Sequence, residues 1–157
     1  MKNTVSRRQA LATVCAGVSA MLVAAMRTSA QAKPALMVYK DRQCGCCSGW
    51  VEHMRAGGFT ASVLDSDMTA IHAQHKIPAS LQSCHTALVG DYIIEGHVPA
   101  ADVKSLLSKK PKGVRGLTIP GMPASAPGMD QLPFQPYTVL TFDAQGKTAV
   151  FAKHDRA

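Results

Sequence analysis

Several marks of common protein classes are missing from this chain. It has no sustained basic patch: beyond the first 32 residues the cations are scattered, apart from Lys109, Lys110, Lys112 and Arg115 around Pro111, a grouping that reads as a solvated helix end. The formal charge of +7 overstates the basicity, because four of the 17 Lys and Arg and none of the Asp and Glu fall in those first 32 residues, leaving +3 on the rest. Nucleic acid is therefore not an expected partner. There is no low-complexity tract and no internal repeat beyond one short phrase described below. The longest apolar run barely reaches the roughly 18 to 20 residues of a membrane span and is rich in Ala, Ser and Thr, so no stable membrane anchor is expected. Nothing in the pattern displays a substrate pocket or an electron partner.

What is present begins with an export signal over residues 1–32. Lys2, Arg7 and Arg8 form a positive n-region, Ala10 to Ala25 a mostly apolar h-region, and Ala30-Gln31-Ala32 the small-x-small pattern of a cleavage site. Cleavage after Ala32 would release a periplasmic domain of residues 33–157. The segment Ser6-Arg7-Arg8-Gln9-Ala10-Leu11 resembles a twin-arginine signal, the route for proteins exported folded, in preference to the general secretory route. Cys15 follows Val14, which is not the small residue a lipoprotein acylation site wants, so Cys15 is expected to leave with the leader.

Four cysteines remain, three of them in Cys44-Gly45-Cys46-Cys47 and the fourth in Ser83-Cys84-His85-Thr86. A cysteine used for packing needs no neighbours of its kind. Soft metal ions and thiol–disulfide chemistry both need several sulfurs within a few Å.

The apolar run Ala35 to Lys40 reads as a strand, Cys46 to Ala56 as a helix stopped by Gly57-Gly58 with Trp50, Val51 and Met54 on its core face, and Phe59 to Leu64 as a second strand. Asp65 or Ser66 can cap a second helix running to about His75, broken at Ile77-Pro78. Thr86 to Val89, Gly90-Asp91 and Tyr92 to Glu95 form a tight hairpin, and Ala100 to Lys109 an amphipathic helix introduced by Pro99. The order is β-α-β-α-β-β-α, that of an α/β, thioredoxin-like core. A long Gly/Pro/Met loop, Gly113 to Pro136, follows, repeating Pro120-Gly121-Met122-Pro123 as Pro127-Gly128-Met129. Loops of this length inside compact domains are commonly functional or disordered. Thr138 to Phe142 and Thr148 to Phe151 close the chain as a C-terminal β-hairpin.

In such a core the turn after the first strand and the start of the first helix face the start of the third strand, so Cys84 is expected to meet Cys44, Cys46 and Cys47. The helix N-terminus adds unpaired N–H groups and a positive dipole end, which favour thiolates.

With these motifs in this order, the chain resembles the CopG-like periplasmic proteins associated with bacterial copper resistance, a domain of unknown function. The residues that carry the resemblance run from about Leu36 to Phe151: Cys44-Gly45-Cys46-Cys47 with Trp50, Ser83-Cys84-His85-Thr86, Glu95-Gly96-His97-Val98-Pro99, Gly116-Leu117, and Pro120-Gly121-Met122-Pro123 with Pro127-Gly128-Met129. The resemblance implies a thioredoxin-like domain whose four cysteines gather copper as a thiolate-bridged Cu(I) centre of more than one ion. Asp41-Arg42-Gln43 departs from the pattern, since a proline-containing turn is expected before the first cysteine.

Independently of the resemblance, thiolates favour Cu(I) and also accept Zn. Mononuclear zinc sites take cysteines in pairs two to four residues apart, whereas adjacent Cys46 and Cys47 suit sulfurs that each bridge two ions. Two other readings stand beside this one: a pair of structural disulfides, with three connectivities open, and a thioredoxin-like thiol–disulfide oxidoreductase using Cys44 and Cys47. His85 and His97, at strand ends, are candidates for additional metal ligation or for supporting contacts. Met122 and Met129 are candidates for soft ligation or copper transfer, against gap-filling in the core. His53, His72 and His75 are placed on helices away from the motifs; His72 and His75, at i, i+3, could share a metal, but a solvated helix face is the preferred reading. Glu95 is either a supporting group or a strand-end charge. The expected role is copper binding in resistance or homeostasis, with other periplasmic copper-handling proteins as partners and redox handling of bound copper left open.

Overall fold

The computed structural model describes residues 32–156. Apart from Ala32, the expected leader lies outside the described residues. Along the chain come β1 (Ala35–Lys40), α1 (Gly45–Ala56), β2 (Thr60–Asp65), α2 (Met68–Gln74), a 3-10 turn (Ala79–Leu81), β3 (His85–Val89), β4 (Tyr92–Glu95), α3 (Ala100–Lys109), β5 (Gly116–Thr118), β6 (Tyr137–Phe142) and β7 (Thr148–His154). The β-α-β-α-β-β-α order expected through α3 is the order found. Among the described residues no helix is long and apolar enough to cross a membrane.

The strands form one mixed sheet in the order β2-β1-β3-β4-β5-β6-β7. β1 runs parallel to β2 and antiparallel to β3, with Lys40 opposite His85. That pairing puts the end of β1 beside the start of β3, and it is what brings two distant stretches of sequence to one place. β4 pairs β3 antiparallel and β5 parallel, and β5 hands over to the antiparallel β6–β7 hairpin.

α1 packs on the sheet because Cys47, Trp50, Val51 and Met54 recur at helical spacing and all are buried. The Trp50 indole N–H donates to the Val98 carbonyl at 2.8 Å, so this large ring is buried without an unmet donor. Gly57 ends the helix where a Cβ would run into Ala100 at the start of α3. Pro99 precedes α3, which lays Ala100, Val103 and Leu106 on the core and stops at Lys110 in the left-handed region, before Pro111. For α2 the cap is Asp67, not Asp65 or Ser66: its carboxylate accepts from the Thr69 N–H at 2.9 Å.

The expected loop Gly113 to Pro136 is shorter than the sequence suggested, because Gly116-Leu117-Thr118 is a fully buried strand. Gly116 is required there, since a Cβ would strike the Ile93 carbonyl across the β4–β5 pair. The rest of the loop is pinned rather than loose. Ala126 is buried in the main core with Leu117, Ile119 and Val139, and the amides of Met129 and Asp130 return to the Ala126 carbonyl.

Candidate metal centre

β1 ends at Lys40 and the chain turns through Asp41-Arg42-Gln43. The Asp41 carboxylate accepts the Gln43 N–H at 2.7 Å and the Asp41 carbonyl accepts the Cys44 N–H at 3.1 Å. Aspartate thus forms by side-chain hydrogen bonding the turn for which a proline was expected. Cys44 becomes the cap of α1, its sulfur accepting the Cys47 N–H at 3.3 Å, so one orphan donor of the helix start is met by sulfur.

Cys84 immediately precedes β3, and the β1–β3 pairing delivers it to this turn. One sulfur from each of Cys44, Cys46, Cys47 and Cys84 lies within 4.8 Å of all the others. Cys44 and Cys46 sulfurs are 3.5 Å apart, and the Cys47 sulfur is 3.5 Å from the Cys84 carbonyl. Cys44 and Cys47 are joined as a disulfide, while Cys46 and Cys84 are free. Of the pair of disulfides weighed from the sequence, one is formed, and it is the C-x-x-C pair. A four-thiolate donor set is available only after that bond accepts two electrons and opens.

Both strand-end histidines join the cluster. A second group of donors, from Cys47, Cys84, His85 and His97, also falls within 4.8 Å. His97 Nδ1 lies 2.8 Å from the Pro127 carbonyl, which can only accept, so the ring proton sits on Nδ1. His97 Nε2 is then a bare nitrogen, 3.3 Å from the Cys84 sulfur. A backbone carbonyl fixing the far nitrogen is the usual way a ligating imidazole is oriented. His85 is fully buried against the Trp50 ring at 4.3 Å, with Nδ1 3.6 Å from the Cys84 sulfur and Nε2 without a hydrogen-bond partner. Burial, and then the neighbouring His97, pushes His85 down to about 3, and burial also lowers His97, so both rings are neutral with lone pairs free at neutral pH. The Ser83 hydroxyl, 3.9 Å from its sulfur, favours a Cys84 thiolate, yet the thiol is raised and not lowered as expected of sulfurs gathered at the helix start. Burial first, with Cys46 adding to it, pushes its thiol up to about 11, so Cys84 holds its proton until a cation displaces it.

The Gly/Pro/Met loop lies across the first turns of α1. A Cβ at Gly128, where φ is +85, would meet the Trp50 backbone nitrogen, the Cys46 carbonyl oxygen at 2.8 Å and the Gly49 backbone at 2.9 Å. Pro127 orients His97, Gly128 touches Cys46, and Met129, half-buried, follows directly. Met122 is 45% exposed. The role of Pro127 was not readable from sequence, because a backbone carbonyl leaves no residue-type signal.

The remaining histidines correct the sequence reading in part. His53 accepts the Ala100 N–H at 3.0 Å, joining α1 to α3. His72 is not on a solvated face: it is buried, with Nε2 3.0 Å from the Glu95 carboxyl. His75 Nε2 is likewise buried and has no partner. Glu95 is no strand-end charge but fully buried, and burial pushes it up to about 8. A cavity of about 490 Å³ borders the same loop, lined by residues including His53, Pro127, Asp130, Tyr137 and His154 and by none of the cysteines.

The family model described as a protein of unknown function, DUF411, matches residues 81–129, the stretch from the 3-10 turn through Met129. No curated protein matches. Two solved structures, "Copper resistance protein copG- Form 2" and its Form 1, are each 35% identical to this chain, cover 78% of it and 98% of their own chain, and superpose with a TM-score of 0.71. With identity at that level across nearly the whole of the solved chain, this chain belongs to the CopG-like copper resistance family.

Proposed function

We propose that the exported chain is a periplasmic copper-binding protein that holds more than one Cu(I) through the thiolates of Cys44, Cys46, Cys47 and Cys84, in copper resistance or homeostasis. The observation that carries this reading is the convergence of four sulfurs, from two segments far apart in sequence, within 4.8 Å. Soft thiolates favour Cu(I), and the adjacent Cys46 and Cys47 suit bridging better than one tetrahedral zinc corner each. Neutral His85 and His97 would supply nitrogen donors on the buried side. The likeness to copper resistance protein copG supports the choice of metal. The strand order β2-β1-β3-β4, with α1 leaving the end of β1, supports a thioredoxin-like core. Periplasmic location rests on the leader alone.

Titrating the reduced protein with Cu(I) against a competing chelator tests this. Saturation above one ion per chain is expected; saturation at one ion, or retention of zinc under competition, would sink the reading.

The Cys44–Cys47 disulfide favours a second reading, a thiol–disulfide oxidoreductase whose C-x-x-C opens α1. Reduction of a protein disulfide by an added small dithiol, catalysed by the copper-free protein and lost in Cys44→Ser, would favour it over copper binding.

The loop methionines give a further expectation. Replacing Met122 and Met129 together with Leu keeps volume and apolarity while removing two thioethers, so the melting temperature should stay near the parent value. Cu(I) exchange with a chelator should change in rate or affinity. Unchanged exchange would return both residues to ordinary packing or loop roles.

A further inference from the structure

We infer that Glu95 is a positioning residue that clamps Cys84 and His85 in the metal site. Its importance for metal rests on the copper reading above, whereas its geometry does not. Glu95 stands opposite Thr86 in the β3–β4 pair and is fully buried, and among the described residues no Lys or Arg is bonded to it. Burying a carboxyl is unfavourable unless its oxygens are hydrogen-bonded, so this residue is explained by what those oxygens hold.

The Ser83 N–H donates to Glu95 Oε1 at 2.7 Å, and the Thr86 hydroxyl donates to Oε2 at 2.7 Å. These two donors stand immediately before and after Cys84-His85, one on each side. Ser83 precedes the β3 ladder, which starts at His85, so its N–H depends on this carboxyl rather than on a neighbouring strand. His72 Nε2, 3.0 Å from Oε1, ties the same carboxyl to α2. Behind it Gly96 leaves no slack: a Cβ there would come within 2.7 Å of the Ser83 hydroxyl oxygen. The backbone that carries Cys84 is therefore held from β4, from α2 and from its own flanking residues.

Three variants of the purified protein test the clamp, each with two readouts: Cu(I) affinity by chelator competition, and the alkylation rate of Cys84 by iodoacetamide in the metal-free, reduced protein. Glu95→Leu fills the space and removes both acceptors. It should lower Cu(I) affinity about 10- to 100-fold, the range for losing a partner that orients a ligand. It should also speed Cys84 alkylation about tenfold as the β3 start opens more often, with Cys46 staying near its parent rate. Glu95→Gln should restore most of this, because its carbonyl can accept from Ser83 and its amide can donate to a reoriented Thr86 hydroxyl. Thr86→Val removes one side of the clamp without a void and should shift both readouts in the same direction by less.

Parent-like affinity and alkylation in a folded Glu95→Leu would overturn the inference. So would a Gln variant as impaired as the Leu variant, since groups placed to bond Ser83 and Thr86 would then not be what the site needs. If Glu95→Leu does not fold, Thr86→Val decides, and an unchanged Cys84 rate there overturns it. Should the parent take up no Cu(I), the copper reading falls while Cys84 alkylation still decides the clamp.

Discussion

Cys84→Ser is expected to abolish most Cu(I) binding, matching Cys46→Ser, although Cys84 stands in a different part of the sequence from the other three sulfurs. The loss should exceed the ~10- to 100-fold range typical of losing an orienting partner, because a donor atom itself is removed. Stability should barely move. With its thiol pushed up to about 11, Cys84 is neutral before metal arrives, and serine is a neutral group of similar shape. Chelator competition on the reduced variants is the measurement, with circular dichroism to confirm folding and exposed Lys109→Ala as the reference. Affinity in Cys84→Ser no worse than in that reference would show that the sulfur delivered by β3 takes no part.

Between the two Pro-Gly-Met phrases, Gly128→Ala should cost far more stability than Gly121→Ala. The residue has φ +85, where an L side chain costs about 1–2 kcal/mol. The added Cβ would also meet the Cys46 carbonyl at 2.8 Å and Gly49 at 2.9 Å, an overpacking worth about 1–3 kcal/mol more. For a domain of this size the sum corresponds to a fall in melting temperature on the order of 10 °C. Gly121→Ala separates the two contributions, since Gly121 has φ +78 and nothing within 4 Å of its would-be Cβ. It should show the smaller conformational cost alone. Equal melting temperatures for the two variants would mean that the loop does not rest on α1 as described.

Local pattern was enough to read α1, the β3–β4 hairpin and α3. Trp50, Val51 and Met54 share one helical face, Gly90-Asp91 leaves room only for a tight turn, and Pro99 and Pro111 bracket α3. β5 was not readable, because three residues beginning with glycine carry no periodicity. What makes them a strand is pairing with Ile93–Glu95 on one side and Leu140–Phe142 on the other. Cys84 was placed by element order, since the order fixes which strand ends become neighbours. His72 was misplaced for the opposite reason. Its spacing from His75 suits an exposed face, and only tertiary packing puts the buried Glu95 beneath it. The tautomer of His97 depends on the carbonyl of a loop residue and had no trace in residue types.

The contact between Gly49 and Gly128 is backbone against backbone, with no side chain between them to compress or rotate. Such a joint has little give. The start of α1, which carries Cys46, and the segment Pro127-Gly128-Met129 are therefore seated directly on one another. The same three residues carry the carbonyl that orients His97, so the seat of the loop on α1 and the aim of that imidazole are set by one joint.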